Sequence, residues 1–94
     1  MKFDMTEEMN RQILDAMRAE VYPKFARQES ILDRQYADCL AEMSERNLAG
    51  DEEGFQRAVK KRKAVDVAIA QMDTEKFMQC EAFCANWKQR HRGL

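Results

Sequence analysis

The chain has 94 residues, 35% of them charged, and its 16 basic and 17 acidic side chains leave a formal net charge of −1 at pH 7. This length predicts one domain, and the near balance of charge argues against a general polyanion binder and against a disordered chain. One Pro and three Gly leave few turns, while the abundant Glu, Lys, Arg, Gln, Ala and Met favour helix, so the sequence predicts an all-α protein.

The number of cysteines and the absence of long apolar segments indicate where in the cell the protein is expected to be. Three Cys is an odd number in a helix-forming chain, which favours reduced thiols over a disulfide framework. No apolar run approaches the roughly 20 residues that span a bilayer, and residues 1–8 lack the apolar core of a signal peptide. We therefore expect a cytoplasmic protein, of the producing cell or of its host, with no membrane partner.

The first predicted helix covers about residues 5–21. Asp4 and Glu7 have the spacing of a capping box, and apolar side chains then recur at steps of four on one face. Those apolar residues are Met9, Ile13, Met17 and Val21. Pro23 lacks an N–H and disfavours a helical residue before it, so either a new helix starts there or one long helix kinks.

The second and third predicted helices cover about residues 24–48 and 52–90, with a turn at 49–51. Gly50 suits a left-handed C-terminal cap, and Asp51 suits the N-cap of the third helix. The apolar stripe of the second helix contains Phe25, Leu32, Tyr36, Cys39 and Met43, widened by Ile31 and Leu40. The stripe of the third contains Phe55, Val59, Val65, Ile69, Met72, Cys80, Phe83 and Trp87, with Phe77 and Cys84 on its flank.

A turn this short forces two long helices to run antiparallel. The fold prediction is therefore an all-α single domain over residues 1–94: a long antiparallel, coiled-coil-like helical hairpin with an additional N-terminal helix, three helices in total. The first helix either continues in line with the second or folds back to make a compact three-helix bundle, and the length of the third helix favours the in-line form. That form brings two acidic residues near three basic ones, namely Glu7 and Glu8 near Lys88, Arg90 and Arg92.

An apolar arc in the second half of the third helix predicts self-association. Two helices side by side hide only one stripe each, while ordering a residue costs roughly 1–2 kcal/mol of backbone entropy and apolar burial returns about 25 cal/mol per Å². A second copy would cover the arc, which contains Phe77, Phe83 and Trp87. We therefore predict a two-fold homodimer and take these three residues as candidate contacts with a second copy or with another protein.

Arg62 is a fourth candidate contact, because helical geometry puts it inside the apolar stripe between Val59 and Val65. The register counted from the turn sets it within reach of Asp38 or Glu42. A paired Arg in such a position fixes register or partner choice while adding little net stability. A site for an anionic ligand is the alternative.

The strongest charge feature is a basic run on the third helix. Arg57, Lys60, Lys61 and Lys63 fan across the solvent side of that helix. A solvated face is the plainer interpretation, and a contact patch for nucleic-acid phosphate or for an acidic protein is the alternative. No aromatic residue interleaves with the run, which counts against nucleic acid.

The cysteines admit a metal interpretation. Cys80 and Cys84 are one helical turn apart, and two thiolates at that spacing can share a zinc ion. His91 lies roughly 10 Å further along the helix axis, too far to join them, and the chain has no CxxC pair. We favour thiols in the core and expect no metal and no other cofactor.

No constellation of catalytic residues is present in the sequence. His91 is the only His, and the chain has no nucleophile elbow, Gly-rich phosphate loop or metal box. We predict that the protein is not an enzyme and has no small-molecule substrate. It would be a protein–protein interaction module, such as an adaptor, inhibitor or small chaperone, that acts as a helical dimer and is typical of small regulatory proteins of phages or mobile elements. The alternatives are a nucleic-acid-binding helical dimer that uses the basic run, and a structural subunit of a larger assembly.

Overall fold

The structure is a computed structural model that describes residues 2–91 of the chain, with side chains from residue 7 onward. It contains α1 (Lys2–Glu20), α2 (Pro23–Leu48) and α3 (Glu52–Arg90), and no strand occurs within residues 2–91. The prediction of an all-α protein with three helices is confirmed. None of the helices in this part of the chain combines the length and the apolar character that crossing a bilayer requires.

The junction between α1 and α2 is short and ends in Pro23. The N–H groups of Val21 and Tyr22 both donate to the carbonyl of Met17, at 2.8 and 3.0 Å, and close the last turn of α1. Pro23 is the first residue of α2, where its missing N–H leaves no intrahelical hydrogen bond unmade. A new helix therefore starts at Pro23. At the other end, α1 begins at Lys2, so Asp4 lies inside the helix and not at the cap we expected.

In the connection between α2 and α3, the C-terminal cap of α2 is followed directly by the N-terminal cap of α3. Gly50 has a φ of 71°, the left-handed conformation that ends a helix without steric strain, and the Asp51 N–H donates to the carbonyl of Arg46 at 2.9 Å. The Asp51 carboxylate then accepts the Gly54 N–H at 2.9 Å as the N-cap of α3. A Cβ on Gly54 would collide with that carboxylate, so the buried Gly54 leaves room for the cap.

The chain divides into two compact units, which we call the middle unit (Arg27–Asp73) and the terminal unit (Met1–Ala26 with Thr74–Leu94). In the middle unit, Leu32 and Cys39 of α2 and Ala58 and Met72 of α3 are buried. An exposed ion pair, Lys61 to Glu42 at 3.4 Å, joins the two helices. The inward residues of α3 follow steps of three and four, which is the spacing of a helix with one buried face.

The terminal unit holds α1 against the second part of α3. Cys84 Sγ lies 3.8 Å from Met17 Sδ, the type of contact expected if the first helix runs along the second part of the third. Ile13, Val21, Phe25 and Trp87 are buried among the described side chains of this unit.

Among the described residues, no ion pair joins Glu7 or Glu8 to Lys88 or Arg90. Glu8 pairs with Arg11 of its own helix at 3.4 Å. Arg92, one of the cations that we placed near Glu7 and Glu8, lies outside the described residues.

Candidate interaction surfaces

Large apolar side chains stand exposed on both units, and two of them are adjacent on α3. Phe77 and Met78 are each 62% exposed, although a helix of a small globular protein ordinarily turns such residues inward. Among the residues whose side chains the structure describes, the other exposed large hydrophobic ones are Met9, Ile31, Leu40, Leu48 and Val67. Phe77, a predicted contact residue, is therefore available to a partner.

An open groove in the terminal unit extends from Phe77 toward the end of α3. Its floor combines the half-buried thiols Cys80 and Cys84 with Met17 of α1. The remaining lining residues are Phe77, Glu81, Ala85 and Lys88. Glu81 and Lys88 are exposed, and neither forms an ion pair within the described part of the chain.

The other two predicted aromatic contacts have different surroundings. Trp87 is only 7% exposed, and its ring stacks on the His91 ring with 3.8 Å between centroids and 15° between planes. Phe83 is half-buried and lines a separate open groove on α3 with Asn86, Gln89 and Arg90. Phe77 lies at the surface while Trp87 packs inside the terminal unit, so these residues do not form one continuous exposed patch.

Arg62 lies on the inward side of α3, as its position in the apolar stripe indicated. Its side chain is 31% exposed, and its Nε is buried with no hydrogen-bond partner in the described structure. The nearest carboxylate is Asp66 of the same helix, with 3.8 Å between Nε and Oδ2. We expected a partner on α2, but Glu42 pairs with Lys61 instead, because Lys61 reaches it from the exposed side of α3.

The basic run lies on the solvent side of α3 in the middle unit. Arg57, Lys60 and Lys63 are exposed, and none of the three forms an ion pair with the residues that the structure describes. Lys61 differs because Glu42 neutralises it at 3.4 Å. Three free positive charges within two helical turns can attract phosphate or an acidic protein surface.

The cysteines are free thiols in two different places. Cys39 is buried in the middle unit, and Cys80 and Cys84 are half-buried in the groove of the terminal unit. Within residues 7–91, no group of three His, Cys, Asp or Glu side chains converges on a point that could hold a metal ion. His91 is engaged elsewhere, since its Nδ1 lies 2.8 Å from the Trp87 carbonyl oxygen.

No protein-family model, curated protein or solved structure matches the chain.

Sequence reasoning overlooked Glu81, Lys88 and Met17 as members of a surface. A signal for the first two was present, since Phe77, Glu81, Cys84 and Lys88 follow one another at steps of four, three and four. The in-line form predicted that the first helix runs along the second part of the third, but the sequence did not identify Met17 and Cys84, 67 positions apart, as a contact.

Proposed function

We propose that this protein is a non-enzymatic protein–protein interaction module that works as a helical homodimer, in the manner of an adaptor, an inhibitor or a small chaperone. The observation that carries the proposal is the exposure of Phe77 and Met78, at 62% each, side by side on α3. Exposed apolar patches on small soluble proteins mark contact surfaces, and aromatic residues supply much of the binding energy at such surfaces.

We also propose that α2 and the first part of α3 form an antiparallel, coiled-coil-like hairpin in the middle unit. Three features of the middle unit support this arrangement: the short capped connection at Gly50 and Asp51, the ion pair between Lys61 and Glu42, and inward residues at steps of three and four. A stiff hairpin loses little conformational entropy on binding, so a partner that contacts the middle unit meets a preorganised surface.

Limited burial within the described chain also supports self-association. No large side chain there is fully buried. Full burial of a Phe or Met side chain stabilises by about 1.5–3 kcal/mol. In a two-fold dimer, Phe77 and Met78 of both copies are covered at once, so the gain is made twice.

The solution mass, measured by light scattering, tests the proposal. We expect a dimer that survives a reducing agent and high salt, because apolar burial and not a disulfide or a charge pair dominates the contact. Phe77→Glu should shift the mass toward the monomer. Leu48→Glu is the matched control, since Leu48 is also an exposed apolar residue but lies at the end of α2 in the middle unit.

Each alternative result has a definite meaning. A wild-type chain that stays monomeric at high concentration contradicts the proposal. A mass that grows beyond the dimer with concentration favours a structural subunit of a larger assembly. Equal loss of the dimer in both variants removes Phe77 from the contact surface.

Binding of nucleic acid is a second candidate function, favoured by the exposed and unpaired state of Arg57, Lys60 and Lys63. Neutralised phosphates release counterions, so such binding weakens steeply as salt rises. Reversal of these three charges to Glu should abolish binding to a labelled duplex at low salt. The same reversal of Lys24, Arg27 and Arg34, which are also exposed, is the control for net charge. Equal loss in both triple variants would indicate attraction by net charge without a site.

A further inference from the structure

One face of α3 carries four groove-lining residues in a single stripe: Phe77, Glu81, Cys84 and Lys88. Steps of four, three and four keep these side chains on one side of the helix. Ala85 lies next to the stripe and also lines the groove. The stripe therefore alternates: the apolar residues Phe77 and Cys84 are each followed by a charged one, Glu81 and Lys88 respectively.

Glu81 and Lys88 are placed symmetrically about the middle of the stripe. Glu81 precedes Cys84 by three residues, and Lys88 follows Ala85 by three, so they flank the Cys84–Ala85 pair at equal distances. They are about 10 Å apart along the helix axis. Both are exposed, and neither forms an ion pair within the described residues.

We infer that a second copy of this chain docks on the groove, with the two α3 helices crossing antiparallel about a two-fold axis at Cys84 and Ala85. Glu81 then faces Lys88 of the partner subunit, and Lys88 faces the partner's Glu81. Phe77 then lies toward the C-terminal end of the partner's α3. This inference rests on the self-association proposed above and adds the surface, the direction and the register of the contact.

The direction follows from charge complementarity. In a parallel dimer, the same stripe would set Glu81 against Glu81 and Lys88 against Lys88, and like charges in contact disfavour that pairing. An antiparallel pairing satisfies both charges twice per dimer, because the interface uses the same patch on each copy. The small side chains of Cys84 and Ala85 at the crossing point allow the helix axes to approach to about 8 Å.

Charge reversal tests this arrangement. Glu81→Lys and Lys88→Glu, made singly, each place two like-charge pairs in the interface, and each should raise the dimer dissociation constant at least tenfold in sedimentation equilibrium at low salt. The double variant restores opposite charges and should return the constant to within about threefold of the wild type. Glu75→Lys is the matched control, since Glu75 lies on the same helix, is exposed, and points about 120° away from Glu81.

The outcomes separate this inference from the proposal on which it rests. A wild-type chain that stays monomeric contradicts both the proposed homodimer and the docking surface. A wild-type dimer that tolerates the single reversals keeps the proposed function and overturns the docking surface. The docking surface is also overturned if the single variants weaken the dimer and the double variant does not restore it. The same holds if the Glu75→Lys control weakens the dimer as much as the single variants do.

Cysteine cross-linking provides a second readout that does not depend on charge. The two-fold axis passes between Cys84 and Ala85, so the Cys84 residues of the two copies lie within the 4.4–6.8 Å Cα separation, roughly, that a disulfide spans. A variant with Cys84 as its only cysteine should give a covalent dimer on mild oxidation that a reducing agent reverses. A variant with only Cys80 should give little. The reverse ranking would move the crossing point and overturn the register.

Discussion

Ala58 has 0% exposure in the middle unit, although it is one of the smallest side chains on α3. A larger side chain at a closed position forces its neighbours apart and destabilises by about 1–3 kcal/mol. Ala58→Leu should lower the free energy of unfolding in urea by that amount. Ala64→Leu is the control on the same helix: Ala64 is exposed, and a change there should stay within about 0.5 kcal/mol. Equal tolerance of both substitutions would show that the packing at Ala58 is loose.

Trp87 and Phe77 are both aromatic residues on α3 but differ ninefold in exposure, 7% against 62%. Trp87→Ala leaves a cavity and removes the stack on His91, so it should lower the free energy of unfolding by about 3 kcal/mol or more. Phe77→Ala should cost under about 1 kcal/mol when unfolding is followed at a concentration too low for dimers. A large loss in the Phe77 variant under those conditions would place that ring in the monomer core.

Arg62 combines a buried Nε without a hydrogen-bond partner and a carboxylate no closer than 3.8 Å. A partly desolvated cation with a weak partner opposes folding, and an apolar side chain of similar length removes that penalty. Arg62→Met should therefore stabilise the chain by about 1 kcal/mol in urea unfolding. Arg57→Met, at an exposed position, should change stability by no more than about 0.5 kcal/mol. A destabilised Arg62→Met variant would show that the guanidinium contributes to the fold.

At the scale of the helices, the connection between α2 and α3 depends on one carboxylate. Asp51 accepts the Gly54 N–H at 2.9 Å and receives Arg46 Nη1 at 3.4 Å. Asp51→Ala should cost about 1 kcal/mol in thermal or urea unfolding, because an N-terminal amide of α3 loses its acceptor. Asp51→Asn keeps an oxygen acceptor at the same position and should retain most of the stability. Equal losses of unfolding free energy in the two variants would show that Asp51 stabilises the chain through its ion pair with Arg46 and not through the cap.

The helix order was predictable because its signals are local. Pro23 marks a helix start or a kink through its ring and its missing N–H, and Gly50 ends a helix through its tolerance of positive φ. Each signal acts within a few residues and needs no knowledge of the fold. The N-terminal end was less well predicted, since Asp4 and Glu7 imitate a capping box while α1 begins at Lys2.

The candidate surface was only partly predictable. The periodicity of α3 selected Phe77 and Trp87 together, yet Phe77 is at the surface and Trp87 is buried. A helix 39 residues long changes its neighbour along its length, so one period cannot describe its inward face throughout. The burial of Ala58 was not predicted, because its small side chain gives almost no hydrophobic signal in the sequence.

Although α3 is continuous over 39 residues, the packing of the chain is divided between two units. A defect in one unit should therefore be felt first in that unit. In native-state hydrogen exchange, Trp87→Ala should reduce protection of amides in residues 13–21 more than in residues 32–39. Ala58→Leu should show the opposite ranking. A uniform loss of protection in both variants would mean that the two units unfold as one.

Composition, turn residues and charge spacing act locally along the chain, and they were enough to predict an all-α protein of three helices with a basic run on the third. Three outcomes became visible only in the folded chain: Met17 lies against Cys84, Lys61 and not Arg62 pairs with Glu42, and Phe77 is exposed while Trp87 is buried. These outcomes depend on which side chains from distant parts of the chain fill the same space, and helical periodicity carries no information about that.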